Sequence, residues 1–415
     1  MSELNAVEIC AGAGGQALGL ELAGFGHALA VELDSNAANT LVANRPQWRV
    51  AVGDVADPQV WCPDDYAGVD LLAGGVPCPP FSFAGKQLGA TDERDLFAWA
   101  VELAGRIRPR ALLLENVRGL SAPRFAAYRQ HVAERLAELG YWSQWRLLHA
   151  SDFGVPQLRP RFVLVALDPE DARWFRWPDP RPLTETVGST LAGLMAANGW
   201  PGAPRWASGA AGVAPTVVGG SKKHGGADLG PTRAKRAWAA LGVDGLGIAD
   251  EAPDRTTPAG YTPRLTCEMV QRIQGWHDDP QYAWHFTGRK TSRYRQIGNA
   301  FPPPVARAVG ESIRIALRRE GLASGAEIGA VQHDRVYSAL RAIAGFATAE
   351  EIGARSGESG LVVRARLRHL ARDFVIDEKD TEDGPAYRIG EFRAFTGQEV
   401  HERHARFADG RASIS

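Results

Sequence analysis

Short apolar strands alternate with helices along the first part of the chain, and this alternation restricts the fold more than any other feature. Apolar runs at 6–10, 28–31 and 49–52 predict strands, and helical patterns at 16–23 and 35–44 lie between them. Strands separated by single helices are typical of a parallel sheet with helices on both faces. The sequence therefore predicts an α/β fold with a doubly wound, mostly parallel sheet.

A compact glycine-rich turn, Ala11 to Gly15, joins the first predicted strand to the first helix. This order of elements lets a backbone approach a cofactor closely, although a plain tight turn is an alternative. The letters A-G-A-G-G are too compact for the dinucleotide fingerprint G-x-G-x-x-G. Glu32 ends the second strand, where an acidic side chain commonly receives ribose hydroxyls, and Asp54 follows the third strand at the same edge. A solvated strand end is the other explanation for Glu32.

A lone cysteine follows the next buried strand. The apolar run 69–73 leads into Gly-Gly-Val-Pro-Cys-Pro-Pro, and the prolines must end the strand there. Cys78 is thereby predicted to lie on a stiff loop at the carboxyl end of the sheet, where open α/β sheets usually place their chemistry. A simply buried cysteine is the alternative.

Two further segments carry charges beside apolar strands. Glu115 directly follows the leucine-rich strand 111–114, so we expect burial to raise its pKa unless a partner such as Arg118 compensates. Gln157, Arg159 and Arg161 alternate and should share one side of an extended segment. That side would suit phosphate and base contacts, or it could be a solvated strand face.

The segment from about 168 to 263 is rich in Gly, Pro, Ala and Trp and has faint periodicity. It contains a local basic cluster, whose members are Lys222, Lys223, Arg233, Lys235 and Arg236, against a single acid, Asp228. A net charge of −1 over 415 residues argues against a surface that binds polyanions everywhere, so a nucleic-acid site must be local. A disordered insert is the alternative, although the tryptophans argue against it.

The four cysteines form neither a disulfide framework nor a zinc-ligand pattern, so we expect no metal. The amino terminus lacks a basic targeting region and no apolar run approaches membrane length, which predicts a cytoplasmic, reduced protein. After a small-residue joint at 321–329, three helical patterns and a hairpin with an acidic turn predict a winged-helix-like unit. Such units bind DNA or dock proteins, and the sequence leaves both open.

Six segments of the chain, taken in order, resemble the DNA (cytosine-5)-methyltransferase family. The matching segments are A-G-A-G-G at 11–15, P-C-P-P-F-S at 77–82, E-N-V at 115–117, Q-L-R-P-R at 157–161, R-L-T-C-E-M-V-Q-R-I-Q-G at 264–275 and Y-R-Q-I-G-N-A at 294–300. The resemblance implies the class I methyltransferase fold that uses S-adenosylmethionine. The implied organisation is a catalytic domain (1–168 plus 263–320), a small irregular target-recognition domain (169–262), the winged-helix-like domain (330–392) and a tail (393–415).

The resemblance also implies roles for single residues. Cys78 would add to carbon 6 of a flipped-out cytosine, Glu115 would bind N3 and the exocyclic amine, and Arg161 would hold O2. Arg159 would brace the loop or a phosphate. The implied cofactor-binding residues are Ala11, Gly12, Ala13, Gly14, Gly15, Glu32, Leu33, Asp54, Val55, Pro77, Asn299 and Ala300. The implied DNA-binding residues are Ser82, Gln87, Gln157, Lys222, Lys223, Arg233, Lys235 and Arg236.

The expected substrate is double-stranded DNA, bound by a monomer, with cognate restriction or defence proteins as further partners. An RNA (tRNA) cytosine-5 methyltransferase of the same fold is the close alternative, but the long variable segment favours DNA. A nucleotide-binding oxidoreductase and a catalytically dead DNA-binding protein are more distant alternatives. An oxidoreductase would give Cys78, Glu115 and Arg161 no role. The intact Pro-Cys pair argues against a catalytically dead protein.

Overall fold

The computed structural model of the chain describes residues 3–76, 94–220, 226–277, 279–323 and 334–392. The predicted site residues Pro77, Cys78, Ser82, Gln87, Lys222 and Lys223 lie outside the described residues. No helix within the described ranges combines the length and the apolar character needed to cross a bilayer.

A seven-stranded sheet forms the centre of the fold, with strand order β3-β2-β1-β4-β5-β7-β6. Strands β1 to β5 pair in parallel, which confirms the predicted doubly wound, mostly parallel sheet. The strands are β1 (Leu4–Ile9), β2 (Phe25–Glu32), β3 (Val50–Val52), β4 (Leu71–Gly74), β5 (Ala111–Val117), β6 (Trp142–His149) and β7 (Pro160–Leu167).

Fourteen α-helices occur in the described part of the chain. They are α1 (Gly15–Leu22), α2 (Ser35–Asn44), α3 (Arg94–Ile107), α4 (Ala126–Glu138), α5 (Pro169–Ala172), α6 (Val187–Ala196), α7 (Ala203–Gly209), α8 (Thr232–Ala239), α9 (Cys267–Ile273), α10 (Lys290–Asn299), α11 (Pro303–Arg318), α12 (Arg335–Ala342), α13 (Ala349–Ser356) and α14 (Gly360–Leu370). Helix α2 spans the predicted residues 35–44, and Asp34 caps it, because its carboxylate accepts the N–H groups of Asn36 and Ala37.

Apolar cores cover both faces of the sheet. Leu112 and Leu114 of β5 pack with α3 and α4 on one face, whereas Ala111 and Leu113 pack with α11 on the other. Burial on both faces explains why this strand is a continuous apolar run rather than an alternating one.

Strand β7 runs antiparallel to both of its neighbours, β5 and β6. In its register with β5, Arg161 lies opposite Val117 and Val163 lies opposite Glu115. The beginning of β7 therefore lies beside the end of β5, at the sheet edge where the parallel strands end. This reversal brings two sequence-distant charged segments together.

The segment between β7 and α9 folds around buried tryptophans, and its regular structure in the described residues is helical. Trp200, Trp206 and Trp238 are at most 8% exposed and share one apolar cluster with Leu265 and Ile297 of the following segments. The segment is therefore ordered by an apolar core that it shares with neighbouring segments, which agrees with the order that the tryptophans predicted.

The chain after residue 334 contains α12 to α14 and a three-stranded sheet of order β8-β10-β9. Its strands are β8 (Ala347–Thr348), β9 (Phe374–Thr381) and β10 (Gly384–Phe392). The letters T-A-E-E at 348–351 predict a capping box, and the structure confirms it, because the Thr348 side chain and Glu351 exchange hydrogen bonds at the start of α13. This unit shares an apolar cluster with α4, which includes Tyr128 and Val132.

Candidate active site

The glycine-rich turn after β1 adopts backbone angles that most residues avoid. Cys10, Gly12 and Gly14 have φ values of +50°, +56° and +92°. No atom lies within 4 Å of the place where a Cβ of Gly12 would stand, so the backbone there borders open space. The turn therefore leaves room for a ligand at its crest.

The last two glycines of the turn are required by packing. A Cβ on Gly14 would collide with the ring of Trp284, and one on Gly15 would collide with the carbonyl oxygen of Phe301. The Trp284 indole N–H also donates to the carbonyl oxygen of Ala13 at 2.8 Å. Gly14 and Gly15 thus allow later segments of the chain to close over the turn.

Glu32 ties the end of β2 to the turn. Its two carboxylate oxygens accept the backbone N–H groups of Gly12 and Asp34, each at 2.7 Å. Burial raises the pKa of Glu32, although these hydrogen bonds oppose the rise. A carboxylate oxygen accepts more than one hydrogen bond, so both remain able to bind hydroxyl groups.

A cavity of about 370 Å³ opens at the carboxyl ends of β1, β2 and β3. Most of the predicted cofactor residues line it, together with the predicted catalytic residue Glu115. These lining residues are Ala11, Gly12, Ala13, Gly15, Glu32, Leu33, Asp54, Val55, Asn299 and Ala300. Segments that lie far apart in the sequence, from residue 10 to residue 301, therefore meet around one cavity.

Glu115 and Arg161 form a buried ion pair at the edge of this cavity. The Nε atom of Arg161 lies 2.5 Å from Oε1 of Glu115, and each side chain is about one tenth exposed, at 10% and 11%. Burial raises the pKa of Glu115, and the charges of Arg161 and Arg159 oppose this rise. The predicted alternative partner, Arg118, is not the residue that pairs with Glu115.

Arg159 points into the protein and is 1% exposed. Its guanidinium donates to the carbonyl oxygens of Val217, Gly298 and Ala300 at 2.8 to 2.9 Å. Of the two alternatives predicted for this arginine, bracing a loop fits the geometry. Arg159 joins the segment that follows β7 to the turn between α10 and α11, and that turn lines the cavity.

Gln157 does not face solvent, contrary to the expectation that it shares an outward surface with the two arginines. It is completely buried, and its amide bonds Gln274 at 2.6 Å and the backbone N–H of Val217 at 2.8 Å. A DNA contact through this side chain therefore has no support from its geometry, because the surrounding protein already uses the amide.

The remaining basic residues of the predicted DNA surface lie on α8. Arg233 and Arg236 are exposed, and no ion-pair partner occurs for either among the described residues. Lys235 differs, because its Nζ atom pairs with Asp228 at 2.8 Å. Arg233 and Arg236 are thus the described cations of this cluster that remain open to a polyanion.

The Cys78 segment begins beside the Glu115 strand. Gly74 lies opposite Leu114, and the Asn116 amide donates to the carbonyl oxygen of Val76 at 3.2 Å. The backbone two residues before Cys78 is thereby held next to β5. The sequence motif at 115–117 contained Asn116, but nothing in the sequence indicated this bond.

Sequence reasoning also missed Gln16, which lines the cavity and is 4% exposed. The available signal was a polar residue in the first turn of a mostly apolar helix, directly after the glycines. Cys10, Ser292, Arg295 and Gln296 line the cavity as well.

Comparison with known proteins places this site in a family. The model of the C-5 cytosine-specific DNA methylase family matches residues 4–314. The type II methyltransferase M.NaeI of Lentzea aerocolonigenes is 60% identical over 417 residues and aligns over the full length of both chains. M.NgoMIV of Neisseria gonorrhoeae, also a type II methyltransferase, is 51% identical over 77% of this chain and 99% of its own.

Two solved structures share the fold. A protein described as a DNA modification methyltransferase of an Escherichia coli prophage aligns with a TM-score of 0.52 at 22% identity, over 76% of this chain and 99% of its own. A mutant of DNMT2 from Spodoptera frugiperda aligns with a TM-score of 0.51 at 17% identity, over 75% and 99%. The family match over most of the chain and the two highly identical relatives establish that this chain belongs to the C-5 cytosine-specific DNA methylases.

Proposed function

We propose that this DNA cytosine-5 methyltransferase transfers the methyl group of S-adenosylmethionine to a flipped-out cytosine through a covalent bond to Cys78. One observation carries the proposal: the buried Glu115–Arg161 pair borders the same cavity as the glycine turn and Glu32. Groups suited to a polar base edge and groups suited to a nucleoside cofactor thus lie at two ends of one space.

The chain's residues fit a nucleoside methyl donor. Gly12 leaves open space at its backbone, Glu32 offers carboxylate oxygens to ribose hydroxyls, and Asp54 lines the far side, where an adenine amine would bind. When bound, the sulfonium of the donor supplies an electrophilic methyl group. Asn299 and Ala300 would close this part of the cavity from the α10 side.

Glu115 and Arg161 would bind the target base. Cytosine carbon 5 is a poor nucleophile, and addition of a Cys78 thiolate at carbon 6 converts the ring into an enamine that can attack a methyl group. Negative charge develops on the ring during this addition. Glu115, whose pKa is raised, would hold a proton at N3, and Arg161 would stabilise O2.

The later steps return the enzyme to its starting state. A general base removes the proton from carbon 5 of the methylated ring, the bond between the Cys78 sulfur and carbon 6 breaks, and the thiolate leaves.

A cytosine that is stacked inside a duplex cannot reach the cavity, so the enzyme must flip it out of the helix at a cost of a few kcal/mol. We assign target reading and gap filling to the segment 169–262, whose helix α8 carries Arg233 and Arg236.

A covalent trap tests the nucleophile. Duplex DNA in which cytosine is replaced by 5-fluorocytosine, incubated with enzyme and S-adenosylmethionine, should form an adduct that survives denaturing electrophoresis, because fluorine cannot leave as a proton does. Cys78→Ser should form no adduct, and Cys62→Ser serves as the matched control because Cys62 is an exposed thiol. Adducts with Cys78→Ser would contradict the assignment.

The biological context is the second part of the proposal. The identity to two type II methyltransferases supports a restriction-modification role with a cognate nuclease as partner. Bisulfite mapping of a host without its own cytosine methylation, after expression of this enzyme and of M.NaeI in parallel, would give both target sequences. Different targets would show that the 60% identity does not extend to specificity.

A further inference from the structure

Gln16 is a buried side chain whose amide has no hydrogen-bond partner among the described residues. It is 4% exposed and stands in the first turn of α1. Neither its Nε2 nor its Oε1 atom forms a hydrogen bond with the part of the chain that the structure describes. Burying an amide without partners costs free energy, so a residue of this kind requires an explanation.

The other buried glutamines among the described residues are satisfied. Gln157 bonds Gln274, and Gln274 in turn donates to the carbonyl oxygen of Ile297. Gln296, which lines the same cavity as Gln16, accepts from Thr40 and donates to the carbonyl oxygen of Thr287. The fold thus pairs glutamine amides at neighbouring positions, and Gln16 is the one left open toward the cavity.

The position of Gln16 shows which part of a ligand it would meet. Glu115 Oε2 and Gln16 Oε1 lie 3.5 Å and 4.0 Å from a single point, the place where a Cβ of Gly75 would stand. Gln16 therefore lies near the end of the cavity that holds Glu115. The first backbone N–H groups of α1 lie beside it, and the N-terminus of a helix favours a carboxylate.

The covalent structure of the methyl donor further restricts which part of it Gln16 would contact. Its sulfur links the ribose to the methionine part, and the methyl group on that sulfur must face the base. With the ribose at Glu32 and the base at Glu115, the methionine part extends past the start of α1. That part carries an ammonium group and a carboxylate, and a glutamine amide offers one acceptor and one donor.

We propose that Gln16 binds the amino-acid end of the methyl donor, with Oε1 accepting from the ammonium group and Nε2 donating to the carboxylate. This assignment rests on the proposed cofactor. Gln16 acts as a binding and positioning residue, because it fixes the methionine part and thereby the direction of the sulfonium methyl group.

Two nucleosides separate this role from a general effect on the pocket. S-adenosylhomocysteine carries the amino-acid end, and 5′-methylthioadenosine lacks it. For Gln16→Leu, isothermal titration calorimetry should show S-adenosylhomocysteine binding about 10- to 100-fold weaker, as expected for lost hydrogen bonds to charged groups. Binding of 5′-methylthioadenosine should change less than about twofold, because its contacts remain.

Gln47→Leu is the matched control, since Gln47 is exposed and does not line the cavity. Its affinities for both nucleosides should equal those of the wild type. Gln16→Met, which keeps the length of the side chain, provides a second variant if the leucine protein does not fold. Gln16→Leu breaks no hydrogen bond between described residues, so we expect this variant to fold.

The outcomes separate the two proposals. Equal losses for both nucleosides, or no loss for S-adenosylhomocysteine, would overturn the role of Gln16 while leaving the cofactor assignment intact. Failure of the wild type to bind S-adenosylhomocysteine would overturn the cofactor assignment itself and the role of Gln16 with it.

Discussion

Three glutamates of the central sheet, the buried Glu8 and Glu115 and the half-buried Glu32, share one physical condition and differ in their partners. Burial is the largest cause of a raised pKa in each. Glu32 is held by backbone N–H groups, Glu115 by Arg161, and Glu8 by His27 at 3.5 Å. Glu32 and Glu115 line the cavity, whereas Glu8 does not. The three carboxylates thus differ in their partners and in their position relative to the cavity, although burial acts on all of them.

The effect of burial on the pKa of Glu8 can be tested through the free energy of unfolding of the protein. Its folded-state pKa is raised, so the folded protein holds a proton that the unfolded chain loses near pH 4.3, and wild-type stability falls as pH rises through the folded pKa. Glu8→Gln cannot ionise. Its free energy of unfolding relative to the wild type should therefore increase from about pH 4.3 upward, by at most about 1.4 kcal/mol per pH unit.

Urea unfolding at several pH values measures this difference. Glu268→Gln, at an exposed position, should show a smaller pH-dependent difference from the wild type. A Glu8→Gln difference that stays constant with pH would show that Glu8 is ionised in the folded protein throughout the range.

At the scale of single elements, β7 brings an arginine to Glu115, and hydrogen bonds hold the segment that precedes α8. The antiparallel direction of β7 places Arg161 on Glu115, and Arg159 just before it holds the carbonyl oxygens of two other segments. Helix α8 follows one of those segments, which the Tyr294 hydroxyl also holds at the carbonyl oxygen of Val218, 3.1 Å away. The exposed arginines of α8 are thus attached to the catalytic sheet by defined bonds.

We expect helix α8 to make a salt-dependent contact with DNA. The double variant Arg233→Gln/Arg236→Gln should weaken DNA binding and lower the slope of log affinity against log salt by up to about 2, because each lost phosphate contact releases about one fewer counterion. Fluorescence anisotropy with a duplex at several salt concentrations measures this slope. Arg146→Gln, on the exposed face of edge strand β6, is the control and should leave it unchanged.

An unchanged slope in the double variant would remove α8 from the DNA interface. A reduced slope in the Arg146 control would show instead that binding depends on the overall charge of the protein.

At the scale of the whole molecule, the C-terminal unit is part of the same core as the catalytic sheet. The family match ends at residue 314, before this unit begins. Even so, the Tyr337 hydroxyl donates to Glu134 of α4 at 2.7 Å, and the Phe392 ring lies 4.3 Å from that of His131. Burial lowers the pKa of His131 to about 4, so its ring is neutral at pH 7 in this interface.

This shared core predicts that the two parts unfold together. All 12 tryptophans lie before residue 285, so tryptophan fluorescence reports on the part of the chain that precedes the C-terminal unit. Tyr337→Ala, at a completely buried position, should lower the free energy of unfolding by about 3 kcal/mol in that signal. Leu361→Ala is the control, because Leu361 is 76% exposed and should cost little. A fluorescence transition that Tyr337→Ala leaves in place would show independent units.

The sequence alone determined the sheet, the family and the residue types of the site. Apolar runs and glycine turns act locally, so the strands from β1 to β5 and the carboxyl-edge positions of Glu32, Asp54 and Glu115 follow from the chain order. Local patterns also determined the capping box at Thr348 and the order of the segment rich in tryptophan.

Only the tertiary structure decided which side chains meet and which way they face. The sequence placed Gln157, Arg159 and Arg161 on one outward side, but later segments fold over that side and bury all three. It offered Arg118 to Glu115, whereas the antiparallel pairing of β7 supplies Arg161. The open amide of Gln16 likewise has no local signature, because hydrogen-bond satisfaction depends on every neighbour in space and not on neighbours along the chain.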